Sequence, residues 1–202
     1  MEKPTNREML LDTTMRIVAE GGMLSFSMRQ VTKAIGVSES LIYRHYGTKE
    51  NLLFQCFQSV DRQIADLFTD ERLPVIASEK ELYEYIRGLW MRYFSFLIQN
   101  SYKTLYYFEY RDSPYIATIL TDTEKYGTLS AQTYFNNFVD ISEAIDKAYH
   151  VFDKVSAGHL WTYILDVTGI FAKRVIRGKL PGNAESCESM WRLFYAGLSG
   201  LF

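Results

Sequence analysis

Between residues 38 and 49 the chain reads SESLIYRHYGTK. Hydroxyls at Ser38, Ser40, Tyr43, Tyr46 and Thr48 stand among Arg44, His45 and Lys49. An arginine donates two parallel hydrogen bonds, which suits a guanine edge or a phosphate. Tyrosine and serine hydroxyls and an imidazole N–H bond phosphate oxygens. A lysine in the first turn of a helix adds its charge to the positive end of the helix dipole. Such groups recognise a polyanion rather than activate a nucleophile. Upstream, Ser27 and Arg29 open another helix and belong to the same candidate set, with Arg29 a second phosphate clamp.

Groups of this kind need rigid elements beneath them, and the flanking sequence supplies helices. Ser27 with Gln30 three residues later is a capping box. Met28, Val31, Ala34 and Ile35 then give one buried face to a helix ending at Gly36. Glycine takes positive φ cheaply, so it closes helices. Ser38 caps a third helix over about 39–45, whose Leu41 and Ile42 point inward against Val31, Ile35 and Phe26. Gly47 ends it, and Thr48 caps a long amphipathic helix over about 48–68. Two short helices joined by a tight glycine turn are a helix-turn-helix, whose second helix enters the DNA major groove. Glu39, Ser40, Tyr43 and Arg44 are left facing outward.

The stretch MRQVTKAIGVSESLIYRHYGTKENLL resembles the DNA-binding signature of the TetR family of bacterial transcriptional regulators. The resemblance covers about residues 7–54. It implies phosphate contacts for Tyr43 and Lys49, and base contacts for Ser40 and Arg44, with Arg44 on a phosphate as the alternative. Tyr46 stands where the family commonly has phenylalanine, so it either adds a phosphate-bonding hydroxyl or closes the small domain. Glu39 accepts from a cytosine amine or discourages wrong sites. His45 is a phosphate contact or a surface spectator.

The fold expected is all-α. A three-helix DNA-binding head at 1–47 is followed by a helical effector-binding and dimerisation domain at 48–202, with 48–68 as linker helix. Further helices are expected over about 79–99, 102–111, 115–138, 152–177 and 184–201. Residues 83–115 hold 12 of the chain's 31 aromatic residues, more than a core alone needs. The resemblance implies a small effector within this domain. Its candidate contacts are Trp90, Phe94, Tyr107, Tyr110, Tyr126, His159 and Tyr163, with a structural role the alternative for His159. The aromatics suit an apolar or aromatic effector. Glu109 is read as a surface ion pair, or else as a partner for a cationic one. Small residues such as Gly169, Ala172 and Gly197 beside Trp161, Leu165, Thr168, Trp191, Phe194 and Leu198 suit a two-fold four-helix interface. The partners expected are therefore a palindromic double-stranded DNA operator, a second copy of the chain and a small molecule. The rival is a DNA-binding dimer without an effector.

Composition sets bounds. Hydrophobic residues are 48% and charged residues 23%, as in a globular protein with a real core. The net charge of −2 hides a split: residues 1–50 carry +1 and the rest −3. That split is too small to argue for nucleic acid, so the case rests on where charges lie. Cys56 and Cys187 read as free thiols of a reducing cytosol. The polar start MEKPTNREML argues against a signal peptide and no apolar run reaches a membrane span, so a cytoplasmic location is expected. Neither a G-x-S-x-G turn nor a phosphate-binding glycine loop occurs, and three histidines at 45, 150 and 159 make a poor metal set. No enzyme activity and no cofactor are expected.

Overall fold

The computed structural model describes residues 6–68, 78–116, 146–147 and 150–201. Among them are nine α-helices and no strand: α1 Asn6–Gly21, α2 Met28–Ile35, α3 Glu39–Tyr46, α4 Lys49–Asp66, α5 Glu79–Gln99, α6 Ser101–Arg111, α7 Ala157–Thr162, α8 Thr168–Ile176 and α9 Ala184–Ala196. A π turn, Tyr163–Val167, makes α7 and α8 one continuous run. The helix expected over about 115–138 lies outside the described residues after 116. The run expected from 152 starts later. Val151–Asp153 is a 3-10 turn, and Ser156 Oγ then accepts the His159 N–H at 3.2 Å to open α7.

Helix starts follow the capping residues. Ser38 Oγ accepts from Leu41 N for α3, and Ser78 Oγ from Glu81 N for α5. Thr48 Oγ1 accepts from Asn51 N, and Asn183 Oδ1 from Ser186 N, for α4 and α9. Each satisfies a backbone donor that the helix cannot, worth about 1 kcal/mol. No helix among the described residues is long and apolar enough to cross a membrane.

The chain forms two compact units. The first takes the described residues up to Gln63 and those from Tyr102 to 116. The second takes those from Ile64 to Ser101 and those after 145. Residues 6–47 thus lie in one unit with most of α4 and nearly all of α6.

In the first unit α1 packs on α2 and α2 on α3. Leu10, Val18, Met23, Phe26, Val31 and Ile42 are buried there. From α4 come Leu52, Leu53, Phe57 and Val60, and from α6 Tyr106, Tyr107 and Tyr110, all buried. Phe57 stacks on Tyr107 at 5.0 Å and on Tyr110 at 4.8 Å. The tyrosine hydroxyls are spent on specific partners. Tyr106 donates to Leu53 O at 2.5 Å, and Tyr107 to Asp61 Oδ1 at 3.2 Å. Tyr102 donates to Asp12, while Arg16 bonds Asp12 at 2.8 Å and lies 3.8 Å from the Tyr102 ring centre.

In the second unit α5 packs along α8. Its core is an aromatic cluster. Trp90 stacks on Phe94 at 4.8 Å and leans on Trp191 at 5.6 Å and Phe194 at 5.7 Å. Trp90 Nε1 donates to Thr168 Oγ1 at 3.0 Å, and that hydroxyl donates to Ile164 O at 2.6 Å. The buried threonine hydroxyl thereby bonds a carbonyl inside the π turn.

Burial raises the Asp12 carboxyl, but the Tyr102 hydroxyl and Arg16 guanidinium outweigh it and hold the group below its ordinary range. Burial and Asp12 push the Tyr102 hydroxyl up to about 12. A lowered carboxylate stabilises the fold above its unfolded value, near 3.9, and that contribution goes as pH falls through the folded value. A raised phenol stabilises below about 10 and ceases to do so as pH climbs through its folded value. The α1–α6 clamp is therefore complete from about pH 4 to 10. Asp12→Asn is expected to flatten the acid limb of a urea-midpoint profile. An unchanged acid limb would show that Asp12 carries none of it.

Candidate nucleic-acid interface

Gly36 has φ 73 and ψ 29, the left-handed region that glycine enters without strain. Its N–H donates to Thr32 O at 2.9 Å and closes α2. Gln30 Oε1 accepts the Ser27 N–H at 2.7 Å at the other end, completing the capping box expected there. After Gly36, only Val37 precedes the α3 cap, so α3 turns sharply from α2. Ile42 at 0% and Tyr46 at 4% exposure bury one edge of α3.

The opposite edge faces outward. Glu39, Ser40, Tyr43, Arg44 and His45 are exposed, as is Arg29 on α2. Among the described residues the side chains of Arg29, Glu39, Tyr43 and Arg44 have no hydrogen-bond or ion-pair partner. The Ser40 hydroxyl pairs with that of Ser38 at 2.8 Å, tying this exposed group to the helix cap. The His45 ring lies beside the Tyr46 ring, at 6.4 Å between centres. Ser27 and Thr48 are exposed caps, with Thr48 Oγ1 held by Asn51 N.

Two expected contacts are committed elsewhere. Tyr46, read either as a phosphate contact or as closing the small domain, has a buried ring, and its hydroxyl donates to Arg7 O at 3.3 Å, as the second reading expects. Lys49 is half-buried, with Nζ donating to Phe26 O at 2.8 Å and lying 5.3 Å from the Phe26 ring centre. Its ammonium has three donors, of which that bond uses one.

The residues expected at an effector site divide between the units. Tyr107 and Tyr110 belong to the first. Trp90, Phe94 and Tyr163 join the second unit's aromatic cluster, with Tyr163 stacked on Phe194 at 5.6 Å and donating to Phe194 O at 2.9 Å. His159 is exposed, and Tyr126 lies outside the described residues. Of the residues expected at a dimer face, Leu165, Thr168, Ala172, Trp191, Phe194 and Leu198 are all buried within the protomer. Nothing is described of the Trp161 side chain. The exposed large apolar residues on α8 and α9 are Ile170 at 49% and Leu193 at 66%.

Glu109, read from the sequence as a surface ion pair or a partner for a cationic effector, instead accepts the Met23 N–H on Oε1 at 3.2 Å. Its partner is 86 residues away, and no local pattern marks such a pair. Among the described residues no group of three or more His, Cys, Asp or Glu could hold a metal ion.

Residues 10–56 match the family described as bacterial regulatory proteins, tetR family. The chain is similar to the HTH-type transcriptional regulator BetI of Rhizobium meliloti (strain 1021), 30% identical over 64 residues, 32% of each protein. It is also similar to the HTH-type transcriptional repressor AcnR of Corynebacterium glutamicum, 35% identical over 89 residues, 44% of this chain and 43% of that one. These matches span a third to under half of the relatives' length. Among solved structures, the fatty acid degradation regulator FadR from Bacillus halodurans aligns with a TM-score of 0.69 at 16% identity, over 98% of each chain. A TetR family transcription regulator from Marinobacter aquaeolei VT8 aligns with a TM-score of 0.67 at 21% identity, over 94% of this chain and 93% of that one. At such identities these two structures speak for the fold alone.

Tyr43 and Tyr46 lie one turn apart and separate two roles. Tyr46→Phe is expected to lower the denaturation free energy by about 0.5–1.5 kcal/mol and leave duplex affinity unchanged. Tyr43→Phe is expected to do the reverse. A Tyr46→Phe protein of full stability and weakened DNA binding would return Tyr46 to the interface.

Proposed function

We propose that this chain, which belongs to the TetR family of bacterial regulatory proteins, is a homodimeric repressor that a small effector releases from a palindromic operator. Members of this family are transcription regulators with a helix-turn-helix, not enzymes. The observation that carries the DNA reading is α3 itself. Its inner edge is buried and its N-terminus capped, while Tyr43 and Arg44 stand outside without a partner.

In this reading Tyr43, Arg29 and the remaining donors of Lys49 hold phosphates and fix register. Arg44 and Ser40 meet base edges, and Glu39 disfavours competitors. One short helix buries too little for tight binding, so two copies present their α3 helices about 34 Å apart to successive major grooves. The dimer face we assign to α8 and α9, with Ile170 and Leu193 as its apolar contacts. Cytoplasmic location follows from the role.

The effector reading has its support in the second unit. Trp90 and Tyr163 both pack on Phe194, Trp90 also stacks on Phe94, and Tyr163 opens a π turn, an irregularity that recurs at functional sites. An apolar or aromatic ligand would displace ring contacts there. It would release DNA only to the extent that it prefers the state in which the two α3 helices no longer fit successive grooves. The mutual packing of these rings also suits a scaffold that binds no effector, the second reading.

Selection from a random duplex pool is expected to return a two-fold symmetric site. Arg44→Ala is expected to relax preference at one symmetric pair of positions, at about 1–3 kcal/mol. Equal losses on selected and random duplexes would make Arg44 a phosphate contact. Leu193→Asp is expected to shift sedimentation from dimer to monomer and abolish operator binding at concentrations that saturate the unaltered chain. A dimer that survives it refutes the assigned face. A compound screen by melting shift separates the two readings of the second unit.

A further inference from the structure

We propose that Glu109 is a positioning residue for DNA reading: from α6 it caps the corner between α1 and α2, and so fixes the angle at which the helix-turn-helix leaves α1. The inference rests on the DNA-binding reading above and adds a residue to it that lies outside the helix-turn-helix.

The corner spans Gly22 to Ser27. Met23–Ser25 is a single 3-10 turn, and the residue before it, Gly22, has φ 81 and no side chain with which to cap the turn. A helical turn leaves its first N–H groups without internal partners. The Met23 N–H is instead taken by Glu109 Oε1 at 3.2 Å. The carboxylate thus acts as a cap supplied by another helix, and a charged acceptor makes the stronger bond.

The corner has little else to hold it. Leu24 is 97% exposed, so only Met23 and Phe26 anchor it by burial. Ser25 Oγ bonds back to Gly21 O at 2.6 Å, within the corner's own chain. The far end is gripped by Lys49, through Phe26 O at 2.8 Å. Glu109 therefore holds the start of the corner and Lys49 its end. Glu109 in turn sits on a fixed support, since Tyr102 bonds Asp12 and Tyr106 bonds Leu53 O. α2 begins two residues after Phe26 and carries α3 against it. The direction of α3 relative to α1 accordingly depends on the corner.

The test uses the full chain and the Glu109→Gln, Glu109→Asp and Glu109→Ala variants. It measures affinity for the duplex selected by the unaltered protein, affinity for random duplex, Met23 amide hydrogen exchange and the melting curve. Glutamine keeps an acceptor at the same reach, without the charge, and is expected to lose less than aspartate or alanine. Aspartate keeps the charge but falls one methylene short. Aspartate and alanine are both expected to bind the selected duplex about tenfold more weakly, with Met23 exchanging faster and random-duplex affinity little changed. Aspartate behaving like glutamine would overturn the proposal even if the alanine variant failed to fold. So would equal losses on selected and random duplexes, or full operator affinity in a variant whose Met23 amide has been freed. If the unaltered chain selects no sequence, the DNA-binding reading falls. Met23 exchange still reports, in that case, whether Glu109 caps the corner.

Discussion

A helix-turn-helix head of about forty residues buries too little apolar surface to be stable alone. Everything at the candidate interface depends on how this head acquires a core. It does so by sharing one with α4 and α6. Leu52, Leu53 and Phe57 enter from one helix, and Tyr106, Tyr107 and Tyr110 from the other. The hydroxyls of Tyr106 and Tyr107 donate to a carbonyl and a carboxylate within that core. That shared core frees the outer edge of α3 from any structural duty. Arg44 and Tyr43 can stay solvated and unpaired because Ile42, on the same helix, is fully buried.

How much of this was legible in the sequence depended on distance along the chain. The capping box at Ser27, the cap at Ser38, the turn at Gly36 and the span of α5 are set by neighbours within a few residues. Periodicity and capping chemistry placed them closely. Tyr46 and Lys49 were harder, because their partners, Arg7 O and Phe26 O, lie 39 and 23 residues away. From the sequence each offers a polar group, and only the fold says where it is spent. Glu109 is the extreme case. The boundary after residue 47 was drawn from helix lengths and loops, and α6 carries no local mark of the unit it joins.

Small residues were ambiguous for a related reason. Gly197 suggested the close approach of a second protomer. In the structure a side chain at 197 would run into the Tyr163 hydroxyl, so the absence of one serves packing inside the protomer. Trp191 and Phe194 are likewise core residues, while Ile170 on α8 and Leu193 on α9 are exposed. An apolar stripe tells that a helix face is buried, but not whether its own chain or another buries it.

Charge placement explains why the net charge was uninformative. Arg16 is paired with Asp12 and stacked on Tyr102, and Arg87 and Arg192 share Glu188. These cations do structural work at modest gain, since exposed ion pairs contribute little. Arg29 and Arg44 are left unpaired and project from the helix-turn-helix. A DNA-reading surface needs only a few such groups, provided their backbone does not move. For that reason the interactions behind α3 matter as much as those on it. A phosphate contact on a loose helix would still add affinity, because it is sequence-independent. A base contact on the same helix would lose its register. Rigidity of the corner and of α3 is thus felt in specificity before affinity, and a defect behind the helix differs in kind from a missing cation on it.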